Sequence, residues 1–418
     1  MRFKQFRLLV PLLVILTTSA FAATTWYVNR ASGSDSNNCL SSEMACKTIG
    51  HAISNAASGD SIRVAAGTYQ ENLSIAFSLN LIGAGTLATI IDGGGVNTVV
   101  AISAAGAHVT LSGLTITHGY ASKGGGIFNA GTLTITFSTL KGNTAAAHGG
   151  SGGGLYNTGT VTISDTTIIG NKALGSAGNC VFQQCGGGAF GGGIYSETGR
   201  LTIFDSTVTR NKVVGIVSCP SGFRCVSSAW GGGIGINKAT AMMMTNNTIT
   251  GNSVSGGDCQ SCVANGGGVF AYGSVSVNNS TISRNYLPYS NSEGGGIFSA
   301  YPYATTVQNS IIADDSHGNC AGTVTSNGYN LSSDGTCNFS GPGDMNNTNP
   351  LLGTLQNNGG PTQTIAPASG SPAIDAGNPA GCTDGSRHLL TTDQRGKPRP
   401  DKEDPGGCDI GAYESQSD

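Results

Sequence analysis

Two acidic residues occupy positions from which they could act together chemically. Asp165 and Asp205 each open a similar segment, DTTIIGNK and DSTVTRNK, and so hold the same place in two successive repeats. If the repeats stack, the two carboxylates lie on neighbouring strands, where such a pair can hold a cation or assist a proton transfer. Arg210 and Arg284 fall near the same turn. The candidate catalytic residues are therefore Asp165, Asp205 and Arg210.

A turn-forming role explains the same pattern more simply. Later repeats carry Asn246, Asn279 and Asn309 at this position, and Asp, Asn and Ser interchange in this way at turns. No GxSxG or HExxH motif occurs, which leaves hydrolase and zinc-protease chemistry without support. We favour the turn interpretation. Whether the chain is an enzyme stays open, and we prefer a non-catalytic protein. Acidic residues are scarce between residues 120 and 313, where the sequence has only Asp165, Glu197, Asp205, Asp258 and Glu293. Four histidines in or near this region show no metal-ligand spacing: His108, His118, His148 and His317.

A Gly-Gly-Gly motif sets the period of the chain. The triplets start at Gly124, Gly152, Gly191, Gly231, Gly266 and Gly294, with spacings of 28, 39, 40, 35 and 28 residues. Each unit reads as three short strands joined by turns, which is too short for a helical crossover. Strands that recur at one step without hairpins should pair in parallel, and parallel crossovers are right-handed. The sequence therefore predicts an all-β fold, a right-handed parallel β-helix with a short N-terminal capping helix.

One polar series and one set of insertions repeat with the triplets. We expect the series to hydrogen-bond up the stack, as in asparagine ladders, and the insertions to emerge on one flank. Aromatic residues in or beside the insertions could stack on sugars or could fold the loops down, and both alternatives stay open. The series is Asn143, Asn171, Asn211, Asn252, Asn285 and Asp315, and the aromatic residues are Phe182, Phe190, Phe223 and Trp230.

Twelve cysteines fall into close pairs, which together with an export signal indicate local disulfides. The expected pairs are Cys39 with Cys46, Cys180 with Cys185, Cys219 with Cys225, Cys259 with Cys262, Cys320 with Cys337, and Cys382 with Cys408. Cys259 and Cys262 also form a CxxC motif, but the surrounding loop offers no second ligand pair for zinc. No cofactor is assigned. Ca²⁺ at Asp314, Asp315 and Asp344 is an alternative to the loop role that we favour.

Export and composition narrow the class of protein. Residues 1–22 have the basic start, short apolar core and Ala-Phe-Ala end of a secretory signal peptide, and no later segment could span a membrane. Removal of its three cations would change the formal net charge from −3 to −6. No basic cluster is visible along the sequence, so nucleic acid is not an expected partner.

The N-terminal segment resembles the entry module of the pectin-lyase-like superfamily. The match comprises a Tyr-Val start at Tyr27, a Gly-Ser-Asp turn at Gly33, Lys-Thr-Ile at Lys47 and Ala-Gly-Thr-Tyr at Ala66. This resemblance implies the β-helix fold rather than an activity. Superfamily members include pectate lyases and alginate epimerases, in which carboxylates neutralise a uronate or hold Ca²⁺ and a base removes the C5 proton. For this chain that chemistry would fall to Asp165, Asp205 and Arg210.

The C-terminal segment resembles the choice-of-anchor Q domain of bacterial secreted β-helix proteins. The residues are NPLLGTLQNNGGPTQTIAPASGSPAIDAGN (349–378) and DQRGKPRP…CDIGAYE (393–414). The glycine repeats are also similar to those of polymorphic outer-membrane proteins and adhesins, although this chain has a third glycine where they have alanine. We expect the charged residues of this segment to form a salt-bridge network that closes the last coil: Asp375, Asp393, Arg395, Arg399 and Asp409.

These observations predict four regions and two functions from different classes. The regions are a signal peptide (1–22), an N-terminal cap (23–60), the β-helix (61–345) and a choice-of-anchor-Q-like module (346–418). The preferred function is a monomeric, secreted or cell-surface protein that binds glycans or extracellular matrix without catalysis, in the manner of an adhesin. The alternative is a polysaccharide lyase or uronan C5-epimerase acting on acidic polysaccharide. A purely structural envelope protein ranks third.

Overall fold

A computed structural model describes residues 23–178, 180–181, 183–288, 292–401 and 407–416 of the chain. The predicted signal peptide, residues 1–22, and Phe182 lie outside the described residues. Among those described, no helix combines the length and the apolar character that crossing a bilayer requires.

Two long parallel sheets, A and B, form the walls of the solenoid. Along sheet A each coil pairs in register with the next, so that Leu133 lies beside Val161, Val161 beside Leu201, and Leu201 beside Met242. Every pairing within sheets A and B is parallel. The fold is therefore the predicted parallel β-helix, built from three strands per turn in its regular part.

The strand bounds show how short each wall segment is. Sheet A comprises Thr25–Val28, Ser61–Val64, Leu73–Ile75, Leu79–Gly83, Val100–Ile102, His108–Ser112, Ile127–Asn129, Thr132–Thr136, Leu155–Asn157, Thr160–Ser164, Ile194–Phe204, Ile234–Thr245, Val269–Ala271, Ser274–Asn278, Ile297–Ser299, Thr305–Gln308, Cys320–Gly322 and Val324–Ser326. Sheet B comprises Gly67–Gln70, Thr89–Asp92, Thr115–Thr117, Thr139–Lys141, Thr167–Ile169, Thr207–Thr209, Thr248–Thr250, Thr281–Ser283, Ile311–Ala313 and Leu331–Ser332.

Alternation of apolar and polar residues places one side of each strand in the core. In Thr160–Ser164, Val161 and Ile163 are fully buried, while the two threonines between and beside them are partly exposed. Each such Leu, Ile or Val contributes roughly 1.5–3 kcal/mol by leaving water. The inward columns join into one apolar cluster that runs the length of the coil. Burial of these columns, repeated at every turn, holds the stack together.

The predicted asparagine ladder is present at one corner of the coil. Asn171 donates from Nδ2 to Asn211 Oδ1 and to Leu140 O, each at 3.0 Å, while its own Oδ1 accepts from the backbone and side chain of Asn143. The same geometry repeats through Asn252 and Asn285. Because every amide donor and acceptor has a partner, burial of these side chains carries no unsatisfied polar group.

A second ladder, which the sequence analysis missed, lies at the next corner. There a backbone N–H donates to the side-chain oxygen of the residue one coil on, as from Thr166 to Ser206 at 3.2 Å and from Ser206 to Asn247 at 3.1 Å. In the sequence, the residues of this ladder are the middle positions of the DTT, DST and NNT motifs, and this recurrence could have revealed the ladder. Each ladder residue follows a residue in the left-handed region, such as Asp165 (φ 49°) or Arg210 (φ 55°), which turns the chain through the corner.

The insertions form a projecting double layer that we call the fin, consisting of sheets C and D. Sheet C leaves the asparagine corner and sheet D returns to the glycine triplets, with Ala173, Val213 and Ala229 buried between the two layers. The insertions therefore do emerge on one flank. Sheet C comprises Tyr120–Ala121, Thr144–Ala147, Lys172–Gly175, Lys212–Ile216 and Ser253–Gly257, and sheet D comprises Gly150–Ser151, Cys180–Val181, Gln184–Phe190, Arg224–Trp230 and Ser261–Asn265.

The capping helix agrees with prediction. The helix Ile49–Asn55 is N-capped by Thr48, whose side chain accepts from the backbone N–H of His51. It buries Ile49, Ala52 and Ile53 against the first coil. The apolar face of the helix therefore covers the open end of the solenoid, as a solenoid cap must.

All six predicted disulfides are present, so the pairing by proximity is confirmed. The bonds join Cys39 to Cys46, Cys180 to Cys185, Cys219 to Cys225, Cys259 to Cys262, Cys320 to Cys337, and Cys382 to Cys408. The two cysteines of the CxxC motif are bonded to each other, so they do not offer thiolates to zinc.

The disulfides serve three different parts of the fold. Cys185 and Cys225 are partners in the register of sheet D, and both are buried with Ile216 at the outer end of the fin. Cys337 is buried in the core of the coil, where its bond ties a later loop to the last strands of sheet A. Cys408 is buried in the C-terminal segment, beside Asn309 of the coil.

The last member of the asparagine ladder generates a stability prediction. Asp315 Oδ1 accepts from Asn285 at 2.7 and 2.9 Å, but Oδ2 is buried without a hydrogen-bond partner among the described residues. Burial raises the pKa of this carboxyl well above its usual range. Asp315→Asn would replace Oδ2 with the amide group that the other five members carry.

We expect Asp315→Asn to raise the free energy of unfolding at pH 8 by about 1–3 kcal/mol, the usual cost of a buried polar atom without a partner. Because the pKa is raised in the folded state, the gain should shrink as the pH falls toward the ordinary Asp value. Urea unfolding at pH 8 and pH 4 measures both. A variant less stable than the parent at pH 8 would contradict this account.

Candidate functional site

A column of aromatic side chains follows the glycine triplets on the outer face of sheet A. Phe128 pairs with Tyr156, Tyr156 with Tyr195, and Phe270 with Phe298 in the strand register. Gly235 holds the one position between Tyr195 and Phe270 that lacks a ring. Because adjacent strands lie roughly 4.8 Å apart, the rings of neighbouring coils stack on one another.

Trp230, at the end of sheet D, fills the gap at Gly235. Its ring centroid lies 4.8 Å from that of Phe270, with the planes only 8° apart, and Phe190 lies 5.0 Å away on the other side. A Cβ on Gly235 would come within 3.0 Å of the Tyr195 ring and 3.1 Å of the Gly191 backbone. A side chain at this position would crowd Tyr195 and Gly191, and the gap that the glycine leaves in the column is filled by the indole. We call the whole series the aromatic ladder: Phe128, Tyr156, Tyr195, Phe190, Trp230, Phe270 and Phe298.

An open apolar groove runs between this ladder and the fin. It has a volume of about 270 Å³ and is lined by Trp230, Val263, Asn265, Phe270, Tyr272, Phe298 and Ala300. Tyr272 packs edge-on against Tyr303 at 5.5 Å, which extends the aromatic surface towards the C-terminal coils. The indole Nε1 of Trp230 is buried without a hydrogen-bond partner among the described residues, so this polar atom does not face solvent in the groove.

Polar groups mark the other end of the ladder. Lys123 Nζ donates to Tyr156 Oη at 2.6 Å and lies 3.4 Å from Glu197. Burial raises the pKa of Tyr195 to about 12, so this phenol stays protonated and neutral. The ladder thus passes from a polar end at Tyr156 to an apolar groove at Phe298.

The four aromatic residues singled out by sequence have different places. Phe190 and Trp230 are both in the ladder, where they join sheet D to sheet A. Phe223 lies in the Cys219–Cys225 loop, has about a third of its surface exposed, and does not belong to the ladder. Phe182 lies outside the described residues. The other five members of the ladder were missed, although each stands two places after a glycine triplet: Phe128, Tyr156, Tyr195, Phe270 and Phe298.

The structure brings two of the three candidate catalytic residues together. Asp165 and Asp205 are the left-handed corner residues of adjacent coils, in front of the second ladder. Arg210 stands at the far end of the strand Thr207–Thr209, roughly 15 Å further along at about 3.3 Å per residue. Arg284 donates to Leu352 O and Gly353 O, so it fixes the C-terminal segment. Arg210 and Arg284 therefore do not accompany the carboxylate pair in the arrangement predicted from sequence.

Asp205 is also covered. It borders a cavity of about 300 Å³ between the coil and the C-terminal segment, together with Thr245, Asn246 and Leu390. Burial is the main cause that raises the pKa of Asp205 to about 7, with a smaller contribution from the neighbouring Asp165 carboxylate. Burial also raises the pKa of Asp165. Burial therefore dominates both pKa shifts, and the neighbouring carboxylate adds only to that of Asp205.

The C-terminal segment packs along sheet B, which corrects the prediction that its charged residues close the last coil. Gln394 accepts from Thr248 Oγ1 at 2.6 Å and donates to Thr207 Oγ1 at 2.9 Å. Arg399 donates to Asn246 Oδ1 at 3.0 Å. The outward threonines of sheet B are therefore buried here, where the solenoid alone would expose them.

Ion pairs within this segment are partly those expected. Arg395 pairs with Asp393 at 2.7 Å, as predicted, and lies over the ring of Tyr413. Arg399 pairs with Glu414, a residue missed from sequence, at 2.7 Å. Burial raises the pKa of Asp409 to about 6, and its oxygens accept from the backbone of Asp375 and Ser415.

The Ca²⁺ alternative gains no support from the residues named for it. Asp314 lies 3.7 Å from Arg284, and Asp344 accepts backbone N–H groups of Asn330 and Gly341. Among the described residues, a single group of three potential ligands lies close enough to hold a metal: Cys39, Cys46 and His51. Its two cysteines form a disulfide, so they are not available as thiolates.

No protein-family model and no curated protein matches the chain. Among solved structures, pectate lyase Pel9A is similar at 15% identity over 95% of this chain and 98% of that chain, with a TM-score of 0.47. Pectin methylesterase PemA from Erwinia chrysanthemi is 14% identical over 72% and 82%, with a TM-score of 0.35. A rhamnogalacturonan lyase is 13% identical over 86% of each chain, with a TM-score of 0.35.

These similarities are too distant to assign a family or an activity. The parallel β-helix rests on the strand pairings of this chain. The choice-of-anchor Q resemblance stays a prediction.

The cavity at Asp205 generates a pH-dependence prediction. Because the pKa is raised in the folded state, the stability linked to Asp205 is fully present below about pH 4 and is lost as the pH rises through about 7. Asp205→Asn should therefore leave stability at pH 4 nearly unchanged and raise the free energy of unfolding at pH 8 by up to about 4 kcal/mol. Urea unfolding at the two pH values measures this. An equal effect at both values would show that ionisation of Asp205 is not the cause.

Proposed function

We propose that this protein is a secreted or cell-surface glycan-binding protein that acts without catalysis and holds sugar rings in the aromatic groove. The observation that carries the proposal is the stack of Trp230, Phe270 and Phe298, whose ring planes are nearly parallel at 8° and 3°, beside an open apolar groove. Rings stacked in this way cover one another's faces, so their edges and the apolar side chains beside them form a strip against which the C–H groups of a sugar can pack.

The spacing of the ladder suits an extended ligand. Its rings repeat with the coils, so the centroids of successive rings lie 4.8 to 6.0 Å apart along one line. Fixed strands on both sides hold the rings in place, which lowers the entropy lost on binding. A linear glycan lying parallel to the solenoid axis would contact several rings at once.

The disulfides support an extracellular location. Six bonds link all twelve cysteines, as is usual in proteins that fold in an oxidising compartment. An export signal in residues 1–22 and surface attachment through the C-terminal segment remain parts of this proposal. Glycans are abundant ligands in such a location.

The ladder also holds the fin against the coil, so the test must separate binding from packing. The protein has two tryptophans, Trp26 and Trp230, and Trp26 Nε1 is engaged by Asp60 at 2.8 Å in the N-terminal cap. In a Trp26→Phe background, Trp230 becomes the sole indole reporter. A glycan array followed by fluorescence titration with the positive ligands then reports contact with this ring.

We expect bound glycan to change Trp230 emission and Trp230→Ala to weaken binding about 5- to 30-fold, since one ring in contact with the ligand contributes roughly 1–2 kcal/mol. Trp230→Phe, which keeps a ring, should retain most of the affinity. Phe223→Ala is the matched control, because it removes an exposed ring outside the ladder. Equal losses in all three variants, or binding without any change in Trp230, would overturn the proposal.

A lyase or C5-epimerase acting on acidic polysaccharide is the second candidate. It is favoured by one observation, the pKa of about 7 of Asp205 beside Asp165, because a carboxyl group tuned in this way can exchange protons at neutral pH. The cover provided by the C-terminal segment weighs against it.

Incubation with pectate and alginate, followed by absorbance of unsaturated products and by NMR of the uronate composition, tests the second candidate. We expect no turnover. Activity that disappears in Asp165→Ala and Asp205→Ala would establish the enzyme. Activity that survives both variants would place catalysis elsewhere and exclude the role given to this pair.

A further inference from the structure

A line of exposed cations lies on the opposite flank of the fin from the aromatic groove. Lys172 and Lys212 are partners in the parallel register of sheet C, on consecutive coils, and both are exposed. Lys141 is exposed at the end of its sheet B strand one coil earlier, and Arg210 is exposed at the corner just before Lys212. Four cations thus gather on three coils, within roughly 10 Å along the axis.

The asparagine ladder fixes these cations beside one another. Asn143, Asn171 and Asn211 are the buried corner residues of the same three coils, joined by hydrogen bonds of 3.0 Å. Lys172 follows Asn171 directly, and Lys212 follows Asn211, so each lysine begins its sheet C strand at a corner that cannot slide. Their separation in sequence is about a whole repeat, which is why no basic cluster is visible along the chain.

None of the four cations forms an ion pair with any other residue that the structure describes. Like charges directly opposite on neighbouring strands cost stability, so this arrangement is unfavourable for the fold alone. The basic residues at the two ends of the line, by contrast, have acidic partners. His118 is paired with Asp92 at 2.9 Å, and Arg284 is engaged with Asp314 and the C-terminal segment.

Exposed tyrosines stand at both ends of the same column. The first outward position of sheet C runs from Tyr120 through Thr144, Lys172, Lys212 and Ser253 to Tyr286 in unbroken register. Tyr120 is 48% and Tyr286 56% exposed. A ligand aligned on this column would meet two aromatic rings, two hydroxyl side chains and two lysines in a straight line, with Lys141 and Arg210 beside it.

We propose that this corner binds a linear glycan that carries regularly spaced carboxylate or sulfate groups, lying parallel to the solenoid axis with its anions against Lys141, Lys172, Arg210 and Lys212. The site is separate from the aromatic groove, because the fin stands between them. Cations in line with a rigid repeat favour a linear polyanion over an isolated ion. The disulfides place the protein where acidic glycans rather than nucleic acids are the available polyanions.

Fluorescence anisotropy with labelled probes tests the proposal on the full chain. The probes are polygalacturonate for carboxylates, dextran sulfate for sulfates, oligothymidylate for phosphates, and neutral dextran. The test variant is Lys172→Gln/Lys212→Gln. The matched control is Arg200→Gln/Lys238→Gln, which removes the same charge from two exposed cations on sheet A.

We expect polygalacturonate or dextran sulfate to bind at low salt and neutral dextran not to bind. The test variant should bind about tenfold more weakly, with a salt dependence reduced by roughly one to two counterions, and the control should bind like the parent. Equal weakening in test and control would show a net-charge effect and overturn the site. Binding of oligothymidylate alone would overturn the glycan assignment, and no binding of any probe would overturn the proposal. A negative result here leaves the aromatic groove untouched, because its test uses different residues and ligands.

Discussion

The buried asparagine ladder is the constraint on which the rest of the structure depends. Each amide gives and receives hydrogen bonds at about 3.0 Å with the coils before and after it, so that no coil can shift by a residue without leaving buried polar groups unpaired. The hydrophobic columns supply most of the stabilising free energy, but apolar contacts alone tolerate a register slip of two residues. Register therefore comes from polar groups and stability from apolar ones.

Fixed register turns residues that are far apart in sequence into continuous surfaces. The aromatic ladder joins residues from 128 to 298, and the cationic corner joins residues from 141 to 212, each along one line of the solenoid. The fin separates the two lines, with the aromatic groove at the base of sheet D and the cations at the base of sheet C. One architecture thus presents an apolar face and a charged face to ligands of different chemistry.

The fold could be predicted from the sequence because its signals are local and periodic. Triplet spacing, strand alternation, the asparagine series and the cysteine pairs each follow from a few neighbouring residues. The sites could be predicted only in part, because they depend on contacts between residues of different sheets and of distant segments. Trp230 belongs to sheet D but completes a sheet A column where Gly235 leaves room, and no local pattern shows that. The cover over Asp205 likewise arises from Gln394 and Arg399, nearly two hundred residues later.

The proposed function requires that one bound glycan contacts several coils at once along the aromatic ladder. Hydrogen–deuterium exchange with and without a glycan positive on the array measures this contact. We expect slower exchange in residues 230–235, 269–272 and 297–300 together, because these segments meet at the groove although they are far apart in sequence. Slower exchange confined to one of these segments, or found only elsewhere, would contradict it.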